Sequence, residues 1–163
     1  MKKFGLLVLA VMVSCVSFAQ GPSPKQAFEQ LKKLVGTWEQ SGQGGSFKVV
    51  YKLTGGGSTL VETQFAGEAH EMVSMYHMDG DKLIMTHYCA AGNQPTLIYK
   101  PGKEEKVLVF DFLRGSNMKP TDMHIHAARI HLLSANEIKS DWIGWSGNKQ
   151  AGEPTVFNLK RVK

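Results

Sequence analysis

Turns recur so often along this chain that little room is left for helices. After residue 36 the clusters TGGGS, FAGEA, MDGDK, AAGN, KPGKE, RGSNMKP, SANE and SGNKQAGEP interrupt the sequence at short intervals. Between them lie ten runs rich in Val, Ile, Tyr, Phe and Thr: 37–42, 46–53, 58–65, 70–78, 82–90, 95–100, 105–113, 121–132, 137–146 and 154–162. β-branched and aromatic runs bounded by Gly, Asn, Asp and Pro read as strands. Regular turns without intervening helices join them as consecutive hairpins. A meander of that many strands removes its exposed edges most simply by closing on itself. The expected fold is therefore all-β, an up-and-down antiparallel β-barrel of about ten strands.

One helix precedes the strands. In SPKQAFEQLKKLVG, Ser23 is the expected N-cap, Pro24 the first helical residue, and Gly36 the terminator. Phe28, Leu31 and Leu34 recur at helical spacing. Further upstream, MKK is a basic segment, FGLLVLAVMV an apolar one, and SFA ends at Ala19 with small residues at the cleavage positions. This reads residues 1–19 as a signal peptide, with an exported, periplasmic or secreted domain over 20–163. The apolar run is shorter than the about 20 residues a membrane span needs. The residues before Cys15 fit lipoprotein cleavage poorly, so the expectation is release without an anchor. No later run is long and apolar enough to cross a bilayer.

Removal of the leader takes Lys2 and Lys3 and no acid, so the formal charge falls from +5 to +3. The remaining basic residues are scattered, which argues against a nucleic-acid surface. Loss of Cys15 leaves Cys89 without an intramolecular partner, so it is buried, reactive, or paired between chains.

LVGTWE at 34–39 resembles the Gly-x-Trp opening strand of the calycin superfamily, the lipocalins, fatty-acid-binding proteins and nitrobindin-like haem-binding barrels. The resemblance implies a lipocalin-like barrel with a short helix near its closed end and the first-strand Trp38 packed there. It also implies a basic residue of the last strand stacked on that Trp, and FNLKRV at 157–162 supplies Arg161. A second block, HEMVSMYHMDGDKLIMTHYCAAGNQP, resembles one found in exported bacterial proteins and carries no activity with it.

Strand parity sorts the side chains. A type I′ turn with Asp79 and Gly80 at its centre pairs Tyr76 with Leu83, Ser74 with Met85, Met72 with His87 and His70 with Cys89. Moving the turn by one residue changes the partners but keeps the same residues on one face. That face is expected to point inward. It mixes sulfur, imidazole and hydroxyl groups, which suits the lining of a ligand cavity. In MHIHAARIHLL, the same parity puts His124, His126, Ala128, Ile130 and Leu132 on one side and Arg129 and His131 on the other.

Three chemistries follow. The first is a small, partly apolar or amphipathic ligand held in the lumen, lined by Tyr76, Met85, His87, Cys89, His124 and Trp142. The second is a haem- or metal-binding barrel using inward His87, His124 and His126. A His-x-His strand spaces two imidazoles about 7 Å apart on one face. The fifth and eighth strands, however, are roughly 14 Å apart around the wall. The third is a small enzyme with a histidine acid/base. Cys89 has no orienting group beyond a neighbouring histidine, no carboxylate pair converges, and GGG at 55–57 precedes a strand and not a helix. Asp111 and Asp141 are the strand acids set among apolar neighbours, able to support a histidine inside or to face solvent. The chain thus reads as a binder before an enzyme, with no catalytic set and no assigned cofactor.

Overall fold

The computed structural model describes residues 21–40 and 45–162. The leader read at 1–19, with Cys15, lies outside the described residues. The strands are β1 (Gly36–Gln40), β2 (Phe47–Thr54), β3 (Thr59–Gln64), β4 (Met72–Asp79), β5 (Lys82–Tyr88), β6 (Gln94–Lys100), β7 (Val107–Ser116), β8 (His124–Ser134), β9 (Glu137–Ser146), β10 (Lys149–Gln150) and β11 (Thr155–Arg161). Neighbours from β1 to β9 pair antiparallel, β9 also pairs with β11, and β11 returns to β1. The wall is therefore a closed barrel of ten strands, as the turn spacing predicts. The additional two-residue β10 was not expected. It arises because Gly147 and Asn148 both take positive φ, +59° and +64°, which is the two-residue I′ hairpin geometry. The chain then folds back on Trp145 and Ser146.

Two expected details need correction. Asp79 pairs with Lys82, Tyr76 with Met85 and Ser74 with His87, so the turn centres on Gly80 and Asp81 instead of Asp79 and Gly80. Gly80 has φ +60° while Asp81 does not enter the left-handed region, as in a II′ turn, where glycine takes the first central position. The register slips by two residues, so Ser74, Tyr76, Met85 and His87 still share the inner face. His70, in contrast, is not in a strand. Phe65 adopts φ +54° and Gly67 φ +84°, which ends β3 and delays β4 to Met72. His70 is exposed, with its ring 4.4 Å from that of Phe65, and does not oppose Cys89.

The helix α1 (Pro24–Lys32) begins as its sequence dictates. The Ser23 hydroxyl accepts from the Gln26 amide, and the Gln26 side chain accepts from the Ser23 amide. Ala27, Phe28 and Leu31 are buried on the face turned to β4 and β5. The helix lies over the turns at 55–57, 80–81 and 102–105, so it closes one end of the barrel. At its C-terminal side the Trp38 indole donates to the Leu34 carbonyl at 2.8 Å. The Arg161 guanidinium sits 4.3 Å from the Trp38 ring centroid. Its nitrogens donate to the carbonyls of Lys33, Val35 and Ala135. One side chain thus satisfies orphan carbonyls after the helix while stacking on the core aromatic. Gly36, at φ +133°, leaves that space open, since a Cβ there would lie 2.9 Å from Arg161 Nη1.

Large side chains fill the middle of the barrel. Trp38, Tyr51, Tyr76, Met85, Leu97 and Phe110 are at most 1 % exposed, each contributing about 1.5–3 kcal/mol of transfer free energy. No helix among the described residues is long and apolar enough to cross a membrane.

Candidate functional site

The inner face carries one polar cluster that strand-by-strand reading missed. Alternation on β3 turns Leu60, Glu62 and Gln64 inward together. Glu62 is fully buried between Tyr51 of β2 and Tyr76 of β4. Its Oε1 accepts from the Tyr51 hydroxyl at 3.0 Å and from Gln64 Nε2 at 3.1 Å, and its Oε2 accepts from the Tyr76 hydroxyl. Burial raises the Glu62 carboxyl pKa despite these three donors, and burial, then the charge of Glu62, pushes both phenols well up. The missed signal was parity: an acid two residues from an inward leucine must face the same way.

Toward the helix-free end, His87 Nδ1 lies 2.9 Å from the Ser74 hydroxyl, and its ring is 5.2 Å from that of Trp142. The Trp142 indole donates to Ser140. Burial lowers the His87 pKa to about 4, so the imidazole is neutral at physiological pH. Of the six residues read as ligand-lining, Tyr76, Met85 and Trp142 belong to the filled core, and His87 is buried beside Trp142. Cys89 holds the β5–β6 turn. Its amide donates to the Asn93 carbonyl, its carbonyl accepts from Gly92, and Sγ accepts from the Ala91 amide at 3.5 Å. Asp141 pairs instead with His131 and Lys139 at 2.9 and 3.0 Å. Burial raises the Asp141 pKa, but these two partners more than offset it and leave it lowered. Asp111 is exposed.

His124 lies elsewhere, in a break in the wall. β7 pairs with β8 only from 107 to 111, against 127 to 131. Beyond that, β7 follows β6 to Ser116 while β8 follows β9 from His124. The segment between them is held apart by a turn. The Asp122 amide donates to the Lys119 carbonyl, Pro120 takes the second position, and the Lys119 amide donates to Asp122 Oδ2. The Gly147 amide donates to the Thr121 carbonyl, and Asn93 Nδ2 donates to the Met123 carbonyl. The gap is a cleft of about 300 Å³ lined by Phe112, Met118, His124, His126 and Trp145. Met118 covers Gly115 closely enough that a Cβ there would overlap its sulfur.

A β-bulge sets the histidines. Ile125 pairs with Gly144 and Ala127 with Ile143, so His126 has no partner residue on β9. Bulges re-aim the extra side chain. Here the His126 ring stacks on Trp145 at 3.8 Å and 9°, with Phe112 at 4.9 Å and 11°. The ring nitrogens of His124 and His126 approach to 3.0 Å, a contact that regular His-x-His spacing does not predict. The His87, His124 and His126 set does not come together: among the described residues no group of three or more His, Cys, Asp or Glu side chains could hold a metal ion. For a metal or haem iron, His126 Nε2 is the ring nitrogen of the pair that has no partner among the described residues.

The sequence matches no family model and no curated protein. Its fold is similar to that in the crystal structure of Rv2717c from M. tuberculosis, with a TM-score of 0.55 and 16% sequence identity, covering 84% of this chain and 98% of that one. That likeness shows the barrel. It carries neither a calycin family identity nor an activity.

Proposed function

We propose that this chain is an exported small-ligand-binding barrel that holds a planar, partly apolar molecule at its helix-free end, where β7 and β8 part. The observation that carries this reading is the cleft itself, walled by Phe112, Met118 and the stacked His126 and Trp145 rings where β7 and β8 part. Apolar walls with one or two placed polar groups are the usual composition of a small-molecule site. The lumen expected from the sequence is filled at its centre, which moves the ligand toward the rim. A larger recess of about 430 Å³ lies beside α1, but the Arg161 nitrogens there are spent on backbone carbonyls. At the rim, His126 Nε2 has no hydrogen-bond partner among the described residues.

Native mass spectrometry of gently purified protein tests both parts of the proposal. The polypeptide mass is expected to begin at Gln20, with a non-covalent small-molecule adduct on the wild type. Met118→Trp, which fills the cleft, should lose that adduct. Retention of the adduct by Met118→Trp would place the ligand elsewhere. A wild type that carries none and takes up no added planar aromatic fragment would rule out the binding reading.

A further inference from the structure

We infer that the cleft recognises its ligand through a hydrogen-bond donor on the ligand itself, a phenolic or enolic hydroxyl or a heteroaromatic N–H, received by His126 Nε2. This rests on the ligand-binding reading above and adds the polarity of the site. The polarity follows from one fixed point. His124 Nδ1 lies 2.7 Å from the carbonyl oxygen of Asp122, and a carbonyl oxygen can only accept. His124 Nδ1 therefore carries the proton, and in the neutral ring His124 Nε2 is a lone pair. That lone pair lies 3.0 Å from His126 Nδ1, so His126 Nδ1 must be the donor. The neutral His126 ring is left with a bare Nε2, which no group among the described residues satisfies. Reversing the chain would require both ring protons, and a positive charge, on His124.

The surroundings keep His126 in that form. Burial first, and then neighbouring His124, lower its pKa, while Asp111 opposes them in part. The ring cannot turn away to exchange its nitrogens, because Trp145 and Phe112 hold its two faces. The Asp122 carbonyl is itself fixed by the Lys119 turn. His126 thus presents an oriented acceptor at the edge of a ring clamped by Phe112 and Trp145, and a donor-bearing ligand in the cleft can replace water there without leaving that acceptor unmet. A ligand of the same shape carrying only acceptors would face lone pair to lone pair.

The probe pair is 2-naphthol and its methyl ether, titrated by tryptophan fluorescence at neutral pH against wild type and His126→Phe. Phenylalanine keeps a ring between Phe112 and Trp145 and removes the acceptor. On wild type, naphthol should bind about 10-fold tighter than the ether, the effect of one satisfied against one unsatisfied buried polar group. On His126→Phe the ratio should fall to about one, with ether affinity unchanged within about two-fold. Equal affinities on wild type, or a preference that survives in His126→Phe, would overturn the inference and leave the cleft as a binding site. Binding of neither probe to wild type would remove the cleft reading, and the inference with it. Should His126→Phe not fold, nitrogen NMR of the wild-type imidazoles decides directly. A protonated Nδ1 with a bare Nε2 on His126 is expected; a protonated Nε2 overturns it.

Discussion

Glu62→Ala should lower the unfolding free energy by roughly 4–6 kcal/mol. Glu62 is fully buried and accepts from two phenols and an amide. Removing it takes the acceptor from the Tyr51 and Tyr76 hydroxyls and Gln64 Nε2, at about 1–3 kcal/mol for each buried donor. A void among Tyr51, Tyr76 and their neighbours adds to that loss. Glu62→Gln preserves volume and one acceptor, and sets its own amide against one of the donors. Its cost should be about 1–2 kcal/mol. Urea denaturation of the two variants checks both values. A loss below about 1 kcal/mol for Glu62→Ala would mean that the three donors find other partners.

Acid should act through His87. Its pKa is about 4 in the folded barrel against an ordinary value of 6.5, so between those values the unfolded chain binds the extra proton and the folded one does not. Stability therefore rises with pH across this window and is lost as the pH falls from 6.5 toward 4. The full loss is about 3 kcal/mol, at 1.36 kcal/mol for each unit of displacement. Glu62 acts with the opposite sign, because its raised carboxyl pKa gives stability in acid that is lost as pH rises through the folded value. The decisive quantity is thus the difference between wild type and His87→Gln, in which Glu62 and His126 cancel. Glutamine can still bond Ser74 and cannot titrate. The difference in stability should shift by about 3 kcal/mol between neutral pH and pH near 4. A pH-independent difference would show that His87 is protonated equally in both states.

What the sequence made legible follows from how local each rule is. Turn clusters and β-branched runs are local, and they marked the wall strands and the closed antiparallel order. Face assignment survived the two-residue slip at Gly80 because strand parity has period two. The Arg161–Trp38 stack was legible only through the resemblance at LVGTWE, and the pairing of β11 with β1 sets the two residues opposite each other. His126 was not legible in its actual setting. A bulge breaks alternation where β8 has left β7 and runs along β9 alone, and nothing in IHAA announces it. Glu62 was hidden for a different reason. An acid flanked by Val61 and Thr63 looks like a solvent-facing strand residue until Tyr51 and Tyr76 are seen on either side. His70 was misplaced because the break after Phe65 depends on a left-handed backbone at a phenylalanine, which few sequences use.

The cleft between β7 and β8 is the claim on which the functional account stands. Its most direct test is an NMR titration of the wild-type protein with 2-naphthol, followed residue by residue. The predicted shift changes concentrate at Phe112, Gly115, Met118, His126 and Trp145. Changes gathered instead around Leu34, Leu132 and Arg161 beside the helix, or absent from the whole protein, would contradict it.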